Sequence, residues 1–182
     1  KSGLYVTGSY RVGKTFAISA AVKRLRRDLP GIAVLVHSAT RNHSQSKAAF
    51  SRELLDSFNY PESRLQNPAD VLARCMMTAS VNAGTRTCVL FIDEAQMLSV
   101  LQVRYLLEVW NVMRAFGFIL ISVLVGQQGL ESLKTLTQDE DPDHGAVIAR
   151  FFVKPYELGG LRSQEDLKAY LAAYDGRLSF PS

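Results

Sequence analysis

Residues 8–15 read Gly-Ser-Tyr-Arg-Val-Gly-Lys-Thr, the spacing G-x-x-x-x-G-K-[ST], and they lie between a short apolar run, Leu4 to Thr7, and a helix-like segment that begins at Lys14. A loop of this kind joins a strand to a helix and folds around phosphate, so it commits the chain to a βαβ unit and hence to a parallel sheet with crossover helices. Gly8 and Gly13 open backbone conformations closed to residues with a Cβ and turn successive N–H groups inward. The helix behind the loop adds the positive end of its dipole. Gly8, Ser9, Tyr10, Arg11, Val12, Gly13, Lys14 and Thr15 are therefore the predicted cradle for a nucleoside triphosphate. Lys14 would reach the β- and γ-phosphates and the Thr15 hydroxyl would ligate Mg²⁺. A Gly-rich turn with an incidental lysine is the plainer alternative.

Cys88 to Ile92 is an apolar strand-like run that ends in Asp93-Glu94. In an open parallel sheet ligands bind outside the carboxyl ends of the strands, so this pair can face the same crevice as the phosphate loop. Asp93 is then placed to hold Mg²⁺ through its water shell, and Glu94 to orient and polarise the water that attacks a γ-phosphate. An Asp-Glu pair is also a common turn or helix cap, and the phosphate loop selects the chemical reading. Phe118 to Val125 is a further apolar strand, followed by Gly126-Gln127-Gln128. By the same crevice argument Gln127 either hydrogen-bonds the attacking water or γ-phosphate, or is an ordinary polar loop residue.

The rest of the chain fits around these two signatures. Ile18, Val22, Leu25 and Leu29 give the first helix one apolar stripe, ended by Pro30-Gly31, and Ile32 to Val36 reads as a strand covered on both faces. Lys23, Arg24, Arg26 and Arg27 crowd that helix's last turns, where they either complement its dipole or meet nucleic acid. Helices are predicted over Ser44–Phe58, from the cap Asn67-Pro68 to a stop near Gly84, and over Ser99–Phe116 with Leu98, Leu101, Tyr105, Val109, Val112 and Phe116 inward. Thr137 to Gly145 reads as a solvated acidic loop. Ile148 to Val153 reads as a short strand interrupted by Arg150, and Ser163 to Asp166 as a capping box opening a final helix.

With 182 residues, 47% hydrophobic and 21% charged, the chain suits one globular domain over 1–182, with 163–182 starting a C-terminal helical extension, and is too short for a second domain. It lacks a run of eighteen apolar residues and a charged-then-apolar leader, so the expectation is a cytoplasmic protein without a membrane partner. Lys1 is not an initiator methionine, which predicts an excerpt of a longer or processed polypeptide. Cys75 and Cys88 lack C-x-x-C spacing and are expected as reduced core residues, and His37, His43 and His144 make no ligand pattern. A net charge of +4, from 21 Lys and Arg against 17 Asp and Glu, is compatible with a polyanionic partner.

Five strand candidates alternating with helices, a phosphate loop after the first and Asp-Glu after the third, describe a doubly wound parallel five-stranded α/β sheet of the P-loop NTPase type. The runs Tyr5 to Thr15, Leu90 to Leu98 and Val123 to Gln127 resemble those of AAA+ ATPases, and within them the transposon-encoded target-selection regulators of the TnsC and TniB type. The resemblance spans nearly the whole chain. It implies ATP and Mg²⁺ as cofactors and ATP hydrolysis as the activity, with Lys14 and Thr15 on phosphate and metal, Asp93 on metal, Glu94 on water and Gln127 at the sensor-1 position. Arg150, just before Phe151-Phe152, resembles the arginine such proteins offer to a neighbouring subunit's γ-phosphate; the other reading is a surface arginine at a strand edge. Sensor 1 is more often a smaller polar residue than Gln, and the helical lid with its sensor-2 arginine is truncated or absent.

The resemblance further implies a homo-oligomeric ring or filament on double-stranded DNA, with transposase and target-selection proteins as partners. Arg41, Lys47 and Arg52 follow the second strand and are the predicted contacts to DNA phosphates, which supply affinity without sequence specificity. The expected function is an ATP-dependent regulator of transposition that oligomerises on target DNA, recruits transposase and disassembles on hydrolysis. The competing expectation is an ATPase switch in secretion or signalling whose partner is a protein. A small-molecule kinase is disfavoured by the Asp93-Glu94 pair, which suits water as acceptor.

Overall fold

A computed structural model of the protein describes residues 3–41, 46–60, 68–140, 144–160, 163–166 and 168. The elements run β1 (Gly3–Thr7), α1 (Lys14–Asp28), β2 (Ala33–Ser38), α2 (Lys47–Ser57), α3 (Pro68–Asn82), β3 (Thr87–Asp93), α4 (Val100–Ala115), β4 (Ile119–Gly126), α5 (Gly129–Glu140), α6 (His144–Phe151) and β5 (Lys154–Glu157). One turn of 3-10 helix, Ala95–Met97, links β3 to α4. The strands form one parallel sheet in the order β2-β3-β4-β1-β5. This is the expected doubly wound P-loop fold.

Strand order decides which face each helix covers. The crossover from β1 passes β4 and β3 to reach β2, whereas every later connection runs back the other way, so right-handed crossovers put α1 on one face and α2 to α6 on the other. Ile18 and Val22 of α1 accordingly pack on Val34, Val89, Phe91, Val123 and Val125. On the opposite face Leu54, Leu72, Met76, Leu106, Met113, Val147 and Phe151 pack on Cys88, Leu90, Ile92, Leu120 and Leu124. Alternate residues of β3 go to opposite faces and both faces are covered, which is why this strand reads as a continuous apolar run.

Beyond β4 two expectations are overturned. Residues 129–140 are helical, with Leu130 and Leu133 buried, so the acidic stretch from Thr137 begins in α5 rather than in a loop; residues 141–143 lie outside the described set. Ile148 to Val153 is not a strand: α6 runs through Phe151 and buries Val147 and Phe151, four residues apart on one helical face. A short apolar run looks the same in a buried helical turn and in a strand, and here the tertiary partners decide. The fifth strand comes later, at Lys154–Glu157, and pairs with β1. It tolerates Pro155 because it lies at the sheet edge.

The inward stripe of α4 also differs from expectation. Val103, Leu106, Val109 and Met113 are buried, whereas Leu101 and Phe116 are 37% and 64% exposed. This helix has apolar residues on more than one side, and a capping box fixes its rotation. Gln102 N donates to Ser99 Oγ at 3.2 Å and Ser99 N donates to Gln102 Oε1 at 2.8 Å, which seats a polar side chain in the interior. Helix α2 starts at Lys47 with Ser46 as its cap, three residues after the predicted start. Asn67, the predicted cap of α3, and His43 lie outside the described residues. The capping box at Ser163 forms as expected, with Ser163 and Asp166 exchanging two 3.0 Å backbone-to-side-chain bonds; the continuation at 169–182 is outside the described set.

Cys75 and Cys88 are free and buried. Burial pushes their thiols up to about 11 and about 12, with the Cys75 charge adding to the second, so both are inert core residues as expected. Among the described residues no helix is long and apolar enough to cross a membrane.

His37, near the end of β2, is buried, and its Nδ1–H donates to Ser57 Oγ at 2.8 Å, because the Ser57 hydroxyl proton is itself given to Glu53 O. Burial lowers the His37 pKa, opposed in part by the Glu53 carboxylate 3.9 Å from Nε2. On acidification the unfolded chain therefore takes up the proton first. The stability held in the neutral ring is complete above about pH 6.5 and is lost as the pH falls through the lower folded value. His37→Gln should flatten the decline of melting temperature between about pH 7.5 and 5.5 relative to the native chain; parallel declines would show that this histidine carries none of it.

Candidate active site

The phosphate loop leaves β1 at Thr7, which lies beside Gly126 of β4, and Gly8 N donates to Gly126 O at 3.1 Å. Close packing dictates the first glycine: a Cβ on Gly8 would lie 2.9 Å from Leu158 O and 2.9 Å from Val12 Cγ1. The second glycine answers to backbone shape, since Gly13 has φ 94° and serves as the N-cap of α1 without a capping side chain. The first turn of α1 also lacks acidic residues, so its N–H groups and dipole remain available to an anion. Arg11, at φ 58°, completes the curl of the loop in a left-handed conformation unusual for a residue with a side chain.

Lys14 is 6% exposed, and its ammonium donates to Gly8 O at 3.0 Å and Ser9 O at 2.8 Å. A buried cation is sustained by such charge-assisted bonds, and here they hold Nζ across the loop's mouth. The Thr15 hydroxyl donates to Asp93 Oδ2 at 2.6 Å, joining residues 78 positions apart. Asp93 Oδ1 accepts from Glu94 N at 2.9 Å, so both oxygens of this buried carboxylate are partnered. A hydroxyl beside a carboxylate is a hard-oxygen donor set suited to Mg²⁺, an ion that takes few protein ligands and fills its shell with water and phosphate oxygens. Among the described residues no cluster of three or more His, Cys, Asp or Glu occurs.

Glu94 follows β3 and caps the 3-10 turn with a left-handed backbone, φ 52° and ψ 34°. Its carboxylate and Gln127 line a cavity of about 300 Å³ whose remaining wall is the loop and first helical turn, Tyr10 to Phe16. Lys14, Thr15, Glu94 and Gln127 thus line one crevice at the carboxyl ends of β1, β3 and β4, and Asp93 adjoins it through its bond to Thr15. Sequence reasoning assigns no role to Gln96. Its Nε2 donates to Glu94 Oε2 at 2.5 Å while its Oε1 accepts from Gln127 N at 3.0 Å, a link visible only once β4 is placed beside the turn after β3.

Arg150 does not join this group. It lies in the last turn of α6 rather than at a strand edge, and its carbonyl is so close to the start of β1 that a Cβ on Gly3 would be 1.8 Å from it. The phosphate loop leaves the other end of β1, about 13 Å of extended strand away. The Arg150 guanidinium stacks 4.5 Å from the Trp110 ring centre, whose ring also carries Arg114 at 5.1 Å, and its buried Nε has no hydrogen-bond partner. Of the three residues predicted to meet DNA, Arg41 and Arg52 are exposed. Lys47 is engaged within the fold, ion-paired with Glu108 and 5.9 Å from the Tyr105 ring.

The fold is similar to that of the ORC2 protein of Aeropyrum pernix, with a TM-score of 0.67 and 17% identity in its ADPNP-ADP complexes, covering 94% of this chain and 45% of that one. Its ADP form gives 0.67 and 16% over 96% and 46% of the two chains. A DNA replication initiation factor gives 0.53 and 12% over 99% and 47%. The chain thus spans less than half the length of these proteins, and at such identities the likeness is one of fold. No curated protein matches it in sequence. The pattern described as "AAA domain" matches residues 1–133, from β1 through the phosphate loop and both β3 carboxylates to Gln127, and the chain belongs to that family.

Proposed function

We propose that this chain is an ATP-dependent switch that assembles as a homo-oligomer on duplex DNA, recruits a transposase and comes apart on hydrolysis. The observation that carries the ATPase part is the 2.6 Å bond from Thr15 to Asp93, which joins the loop hydroxyl and the β3 carboxylate that we read as the metal ligands. In this reading the loop amides and Lys14 bind the phosphates, with phosphate oxygens replacing Gly8 O and Ser9 O as partners of Nζ. Thr15 and Asp93 would hold Mg²⁺, which would supply positive charge beside the phosphates. Glu94 orients a water and takes its proton as the oxygen attacks the γ-phosphorus, and the bond to the leaving ADP oxygen breaks. Gln127 holds that water or a γ-phosphate oxygen.

The placement of Arg150 supports oligomerisation. It lies in the last turn of α6 against the start of β1, remote from its own loop, so a nucleotide phosphate that it meets belongs to another copy of the chain. The transposition reading rests on the resemblance of the three nucleotide-site segments, and the DNA reading also on the likeness in fold to a DNA replication initiation factor. One observation favours the second reading, a switch in secretion or signalling with a protein partner: Lys47, one of the three proposed DNA contacts, is already ion-paired with Glu108 at the surface of the fold.

Thr15→Val removes the hydroxyl and leaves the buried Asp93 oxygen without its donor, at a cost of about 1–3 kcal/mol in unfolding. Titration with a fluorescent ATP analogue should show the gain in affinity from Mg²⁺ lost in Thr15→Val and kept in Thr15→Ser; an unchanged Mg²⁺ effect in Thr15→Val would remove Thr15 from the metal site. Glu94→Gln should bind ATP while hydrolysing at least about a hundredfold more slowly, and should remain assembled on duplex DNA. ATPase rates with and without duplex DNA separate the two partner classes. Strong stimulation, weakened by charge reversal at Arg41 and Arg52, supports the DNA switch, and indifference to DNA supports the protein-partnered one.

A further inference from the structure

The turn after β3 is built to hold one side chain. Glu94 takes a left-handed backbone, Met97 N donates to Glu94 O at 2.8 Å, and the resulting single helical turn folds Gln96 back toward the end of β4. There its amide makes both bonds it is shaped for, donating through Nε2 to Glu94 Oε2 and accepting through Oε1 from Gln127 N. Two glycines leave the room. A Cβ on Gly126 would lie 2.5 Å from Gln96 Oε1, and one on Gly129 would lie 3.3 Å from Gln96 Cβ. Neither glycine has a positive φ, so it is space rather than backbone shape that keeps these positions bare. The β4 side of the cradle is itself fixed, since Leu130 N donates to Gln127 O at 2.9 Å and ties the turn to α5.

We propose that Gln96 is a positioning residue that sets the Glu94 carboxylate relative to Gln127, so that the two groups flanking the attacking water move as one unit. The assignment rests on the reading of Glu94 as the water-orienting group. A carboxylate on a free side chain samples several rotamers, and only one aims an oxygen at the water. By occupying Oε2, Gln96 selects the rotamer and leaves Oε1 for the water. By accepting from Gln127 N with its other end, it makes that choice depend on the position of the β4 turn. The side-chain hydrogen bonds of Gln96 go to Glu94 and to the β4 turn, so its removal should spare nucleotide binding and act on turnover.

Single-turnover and steady-state ATPase measurements on native protein, Gln96→Ala, Glu94→Gln and the double variant test this. Gln96→Ala should lower kcat about ten- to a hundredfold while KM and the affinity for a fluorescent ATP analogue stay within about twofold. The double variant should be no slower than Glu94→Gln alone, because the partner on which Gln96 acts is already gone. Gly126→Ala leaves both functional side chains intact but pushes the amide aside, and should lower kcat in the same direction, which keeps the test open if Gln96→Ala folds poorly. A Gln96→Ala kcat within about twofold of native, a loss confined to KM, or additive losses in the double variant would overturn the assignment. A native protein that binds ATP without hydrolysing it would instead overturn the hydrolysis reading beneath it.

Discussion

The bond from the Thr15 hydroxyl to Asp93 is the contact on which the site depends. Asp93 is 5% exposed at the end of a strand buried on both faces, and a carboxylate in that position is tolerated only if its oxygens are bonded. The phosphate loop supplies one donor and the Glu94 backbone N–H the other. The same bond that relieves the buried charge sets the distance between loop and β3, so the stability of the sheet's carboxyl edge and the geometry of the proposed metal site are one arrangement. Parallel register makes it possible: β4 lies between β1 and β3 and brings Thr7 and Gly126 level, so that the loop and Asp93 meet across one intervening strand.

Strand order also distributes labour across the sheet. The reversal after β1 leaves α1 on one face and the other helices on the opposite one, and it sends the last crossover to β5 at the far edge. Helix α6 on that crossover ends against the start of β1, where Gly3 permits contact with the Arg150 carbonyl. Arg150 is thereby held at the amino end of β1 while the phosphate loop leaves its carboxyl end. Within one subunit these groups are kept apart by the length of the strand, and in the proposed reading only a neighbouring copy brings its Arg150 to the loop.

Much of this was legible in the sequence because the motifs are local and demand their context. Gly8 to Thr15 requires a strand before and a helix after, and Asp93-Glu94 at the end of an apolar run requires a strand edge. What was not legible depends on partners distant in the chain. Gln96 meets Gln127 across 31 positions, and Lys47 meets Glu108 across 61, and neither spacing has a sequence signature. The segment Ile148 to Val153 misleads because four or five apolar residues suit a buried helical turn as well as a strand. In α4 apolar residues occupy several sides, so the stripe that faces inward was set by the cap at Ser99 and by burial of Gln102 rather than by hydrophobicity alone.

The central claim is that each phosphate loop is half a site completed by Arg150 of the next subunit. Mixing two inactive proteins, Lys14→Ala and Arg150→Ala, and measuring ATPase activity tests it most directly. Random co-assembly places an intact loop against an intact Arg150 at about a quarter of the interfaces of a head-to-tail oligomer, so the mixture should recover up to about a quarter of native activity where neither protein alone has any. A mixture as inactive as its components, with co-assembly verified, would contradict the shared site.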